Sequence, residues 1–220
     1  MPSSFRTRLT CPLAALALST LAATAQSAPV FTNGSFEAPN VFYQAPGGNS
    51  SAVTGWMTAL SGVEHYNSSA YGVGAAADGL MAVDLAYVTS LAGGAIEQAL
   101  DTVAGETYTV NFFAGNSTNA GRTGTGVVKI SVDGVDLVDI ATPNATTVAT
   151  LWAQRSFSFT AADSSTVVRF WNNQNPLLHF ALIDGVALAA PTTGGTVPEP
   201  GSLALASLGL LGLAAARRRR

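Results

Sequence analysis

Two kinds of side chain in this sequence could do chemistry, carboxylates and aromatic rings. Only two histidines occur, His65 and His179, and no stretch has the form H-E-x-x-H or G-x-S-x-G. Hydrolysis by paired carboxylates needs two acids that meet in space rather than in sequence, and Glu64, Asp84 and Glu97 are the acids to consider. Asp133, Asp136 and Asp139 recur every three residues, but a regular strand sends Asp136 and Asp139 to opposite faces, so they are expected to be solvated hairpin acids. Sugar rings offer C–H faces to aromatic planes, which makes Trp56, Trp152, Trp171, Tyr43, Tyr66, Tyr71 and Tyr87 candidate platforms. For each ring the competing role is core packing, where aromatics carry much of the energy. Tyr66, Asn67 and Tyr71 stand in a Gly-, Ser- and Asn-rich stretch that reads as a loop; with Trp56 they are the expected ligand contacts. Trp152 opens an alternating strand and is expected to fill the core.

The elements that must position these groups are strands. Residues 107–113 are β-branched or aromatic almost throughout, and residues 156–160 alternate cleanly, as a strand with one buried face does. Asp133-Gly134 between the apolar runs of residues 126–141 is the strongest short signal for a hairpin. Further strands are expected at 81–86, 95–102, 166–171 and 180–188, separated by Gly, Asn, Ser and Pro. Short strands at this spacing predict an all-β sandwich or barrel over residues 26–190.

Both ends of the chain carry addresses rather than fold. Arg6 and Arg8 precede an apolar stretch, and Ala23-Thr24-Ala25 offers a small-x-small cleavage site, so residues 1–25 read as a signal peptide. Cys11 lies before that stretch, unlike a lipoprotein cysteine, and leaves with it; the mature chain then has no thiol and no disulfide. A linker at 191–197 leads to Pro198-Glu199-Pro200, a charge-free run of 16 residues, and Arg217, Arg218, Arg219 and Arg220. As a helix the run would reach about 24 Å, short of the roughly 20 residues that comfortably span a bilayer. Arginines at both ends place the body on the far side of the inner membrane.

With these ends set aside, residues 26–197 hold four basic and twelve acidic side chains, a net charge of −8. Nucleic acid is excluded as a partner, since it demands clustered Lys and Arg.

The tail, with its triplet, apolar run and Arg cluster in order, resembles the bacterial PEP-CTERM sorting signal. That resemblance implies export in a Gram-negative bacterium, transient membrane anchoring, removal of the tail by an exosortase after signal peptidase has acted, and a cell-surface or extracellular destination. The body resembles the galactose-binding-like domain family first noted in plant cell-wall proteins. Asn33-Gly34-Ser35-Phe36-Glu37, Gly55-Trp56, Ala82-Val83-Asp84-Leu85, Gln98, Gly105 with Tyr108, and Ile183-Asp184-Gly185-Val186 carry the likeness in order. Gly185 departs from the usual second Asp, and the paired cysteines of plant members are missing. The resemblance implies a two-sheet jelly roll of eight strands or more, serving as a non-catalytic module that binds polysaccharide. It also implies a structural calcium held near Glu37 and Asp184; the alternative is that Glu37 caps a turn and Asp184 binds backbone. In that family Asp84 and Glu97 match framework positions within strands. A purely structural biofilm or extracellular-matrix protein, and a glycan-degrading enzyme, are the competing functions.

Overall fold

The computed structural model describes residues 28–69, 74–87 and 93–189. The signal peptide, Tyr71, the linker and the sorting segment lie outside the described residues. Among those described, no helix is long and apolar enough to cross a membrane.

Eleven strands form: β1 (Tyr43–Gln44), β2 (Met57–Leu60), β3 (Glu64–Asn67), β4 (Met81–Asp84), β5 (Gly94–Asp101), β6 (Thr107–Asn116), β7 (Val127–Val132), β8 (Val135–Ala141), β9 (Leu151–Thr160), β10 (Ser165–Trp171) and β11 (Leu182–Leu188). They pair antiparallel into a six-stranded sheet, β1-β3-β4-β11-β6-β9, and a five-stranded sheet, β2-β5-β10-β7-β8. The last strand, β11, thus inserts between β4 and β6, giving the jelly-roll crossover that the motif order implied. All seven expected strand regions are found; β1, β2 and β3 were too short to announce themselves by alternation.

Alternation decides which side chains meet between the sheets. Val110, Phe112 and Ala114 of β6, Phe157 and Phe159 of β9, Ile183 and Val186 of β11 face inward. They meet Ile96 and Leu100 of β5, Val128 and Ile130 of β7, and Val168 and Phe170 of β10. Phe170 contacts Phe112 edge-on at 5.2 Å between centroids and Trp56 at 6.2 Å, so a chain of rings joins the layers. The segment before β1 is fastened by Gln98, whose side chain accepts from Thr32 N (2.7 Å) and donates to Thr32 O (3.0 Å) and Gly55 O (2.7 Å).

Asp133 and Gly134 take φ of 49° and 80° at the tip of the β7–β8 hairpin, the left-handed pair that a two-residue turn of this type requires. The hairpin is not regular. Its register slips between Ile130 and Ser131, so Ser131 faces Asp136 while Lys129 faces Asp139. Lys129 and Ser131 share a face, and therefore so do Asp136 and Asp139, contrary to the expectation from an unbulged strand.

Candidate functional site

The side chains expected to meet a ligand are mostly inside the protein. Trp56 is 2 % exposed: its ring stacks on Phe31 at 5.6 Å, touches Phe36 at 5.1 Å, and its Nε1 donates to Asn33 O. Tyr66 is on β3, not in a loop, and is buried with Ala82 and Leu182 beneath Tyr43, Trp152 and Phe180. Neither ring keeps an open face for a sugar. Asn67 ends β3, where its Oδ1 accepts from Ser69 N and Oγ. Trp152, expected in the core, is half-buried on the outer face of the six-stranded sheet, against Gly115.

Glu37 and Asp184 do converge, on one turn. Glu37 Oε1 accepts from Leu80 N (2.8 Å) and Met81 N (2.7 Å), and Asp184 accepts from Asp78 N (2.8 Å) and Gly185 N (2.7 Å). Gly79 sits inside this arrangement at φ 72°, where a Cβ would lie 2.4 Å from Glu37 Oε1. Calcium wants six to eight oxygens with free lone pairs. These carboxylates already face backbone N–H groups, whose positive ends oppose a cation, and among the described residues no three His, Cys, Asp or Glu side chains gather as metal ligands. Through these bonds the two carboxylates act as clasps on the 78–81 turn. Burial raises the Asp184 carboxyl to about 7, opposed by its backbone N–H partners.

The acids considered for hydrolysis are also placed. Glu97 is ion-paired to Arg169 at 2.6 Å. Glu64 and Asp84 face each other across β3 and β4, but Asp84 is 2 % exposed, so its carboxyl cannot meet a polymer. Burial above all, then the neighbouring Glu64, pushes Asp84 up to about 8, with Arg122 opposing. His65 is no free base: its Nε2 donates to Phe36 O and its Nδ1 accepts from the Gln44 amide, which fixes the neutral ring, and burial lowers its pKa.

A cleft opens elsewhere, on the five-stranded sheet. Phe170 and Val168 face inward, so Trp171 at the end of β10 faces out. Across the ladder Trp171 stands opposite Ala95 of β5 on one side and Lys129 of β7 on the other. A depression lies between Trp171 and the exposed Leu60 that ends β2. Its volume is about 370 Å³, and Leu60, Ser61, Gly93, Trp171, Asn172 and Asn173 line it. Two donors here have no partner: Trp171 Nε1 and Asn172 Nδ2 are both buried and unbonded. Asn172 is held in place by accepting Gln174 N on its Oδ1, and Lys129 Nζ lies 5.0 Å from the Trp171 ring centroid. The available signal was the phase of β10: a Trp out of step with inward Thr166, Val168 and Phe170 had to be displayed.

The fold defines an all-β, two-sheet jelly-roll domain with a cleft walled by Trp171. The chain belongs to the DUF642 family, described as proteins of unknown function, whose pattern matches residues 29–189; a PEP-CTERM protein-sorting motif matches residues 196–220. No curated protein matches the chain. Among solved structures it is similar to a family 35 carbohydrate binding module from an environmental isolate, at 15% identity and TM-score 0.42 over 57% of this chain and 85% of that one. It is also similar to TmCBM61 in complex with β-1,4-galactotriose, at 17% identity and TM-score 0.42 over 71% and 94%. A family 35 module from Clostridium thermocellum is similar at 16% identity and TM-score 0.37, over 58% and 98%.

Proposed function

We propose that this is an exported, non-catalytic polysaccharide-binding protein, sorted through its PEP-CTERM motif, whose glycan contact is the Trp171 cleft. The observation that carries the reading is the outward Trp171 ring, which lines the cleft together with the exposed Leu60. A sugar supplies C–H faces for the indole and for the exposed Leu60. The body's net charge of −8 and the ion-pairing of Lys129 to Asp139 favour a neutral glycan over an acidic one. Sorting supports the same role, since exosortase processing would deliver the body to the cell surface or matrix.

Gel retardation of the full chain by laminarin, β-1,4-galactan, mannan and hydroxyethylcellulose tests it. Trp171→Ala is expected to weaken the cleft's binding at least about tenfold, because central aromatic anchors dominate small contact surfaces. Unchanged binding by a folded Trp171→Ala protein would sink the assignment of the site.

A further inference from the structure

A second surface lies on the opposite side of the sandwich. The outward residues of β6 and β9 form paired rows: Gly115 with Trp152, Phe113 with Gln154, Asn111 with Ser156, Thr109 with Ser158 and Thr107 with Thr160. Thr107 and Thr160 hydrogen-bond at 3.0 Å, and Thr109 and Ser158 at 2.8 Å, which fixes one half of the strip. The Trp152 ring closes the other half, lying on Gly115, where a Cβ would stand 2.5 Å from it, and its Nε1 is tied to Ala75 O at 3.0 Å. Between them Asn111, Gln154, Arg155 and Ser156 line a depression of about 510 Å³. The side chains of Asn111, Gln154 and Ser156 take no part in hydrogen bonds within the described residues.

We infer that this β6–β9 strip is a second glycan-binding surface and that the protein bridges two polysaccharide chains. The bridging half rests on the Trp171 cleft; the strip stands without it. The ten outward residues are uncharged and the one charged residue lining the depression, Arg155, has its guanidinium bonded to Ala141 O and Gln154 O, so in a body of net charge −8 the occupant is a neutral polymer rather than an ionic one. Free amides and a hydroxyl supply both donors and acceptors, as sugar hydroxyls require. Ten residues of strand extend about 33 Å, room for several sugar units laid along β9, the open edge of its sheet. Inward residues of the two sheets share one core, so the cleft and the strip face away from each other, and one stiff chain cannot occupy both.

The test uses the full chain with the same four polysaccharides. Trp171→Ala is expected to keep measurable retardation by at least one of them, and adding Asn111→Ala and Gln154→Ala to remove it. Asn111→Ala with Gln154→Ala alone keeps the cleft's binding, which also shows that the protein folds. The parent raises the viscosity of a bound polysaccharide solution, and neither single-site variant does. Loss of all binding on Trp171→Ala alone overturns the strip while leaving the cleft; binding unaffected by Trp171→Ala but abolished by the β6–β9 pair overturns the cleft while leaving the strip. Absence of binding to all four polymers overturns both.

Discussion

Asp84 holds a proton where an exposed carboxyl would not, because it is buried opposite Glu64, itself shifted upward by burial. In the unfolded chain Asp84 ionises near 3.8; in the folded one it does so at about 8. The folded state therefore binds more protons between these values, and stability is fullest below about pH 4 and is lost as pH rises through about 8. Thermal midpoints measured from pH 5 to 9 are expected to fall, and Asp84→Asn to flatten that slope; an unaltered slope would refute the assignment. Glu37 acts through lone pairs rather than protons. Glu37→Ala leaves Leu80 N and Met81 N without their acceptor and is expected to cost about 1–3 kcal/mol by denaturant titration, while calcium or EDTA leaves the parent's midpoint where it was. At this scale the sequence was only partly legible. The motif order named Glu37 and Asp184 together, and both bond the 78–81 turn, but Gly and Asn around Tyr66 suggested a loop where a four-residue strand lies, and that strand turns the ring inward.

The β7–β8 hairpin shows how one element departs from its own pattern. Alternation and Asp133-Gly134 located both strands and the turn, yet no local signal announces the bulge around Leu137 that moves Asp136 and Asp139 onto one face. β8 is an edge strand, and Val135, Leu137 and Val138 are exposed along it. Unpaired edges recruit further strands, and a bulge with flanking charge is the usual protection. Asp136→Val keeps the fold and removes one of those charges, so static light scattering is expected to show increased self-association; a strictly monomeric variant would contradict the role given to Asp136. Lys129, by contrast, is occupied twice, paired with Asp139 and lying by the Trp171 ring.

For the molecule as a whole, what was legible followed from periodicity. Long strands alternate because one face is buried, and β6, β9 and β10 wrote that alternation plainly; the two-sheet order came from motif order, since pairing between distant strands leaves no local trace. Sorting belongs to this scale too. If an exosortase removes the tail, protein recovered from the cell surface or medium lacks Arg217 to Arg220, and intact C-terminal peptides in its mass spectrum would count against that step. Before removal, tension between a captured polymer and the membrane would enter the body through its last strand. β11 is not at an edge: it is held by β4 on one side and β6 on the other. A pull along it loads two hydrogen-bonded ladders in shear together instead of unzipping one bond after another, so the end of the chain that bears force is the end least easily peeled away.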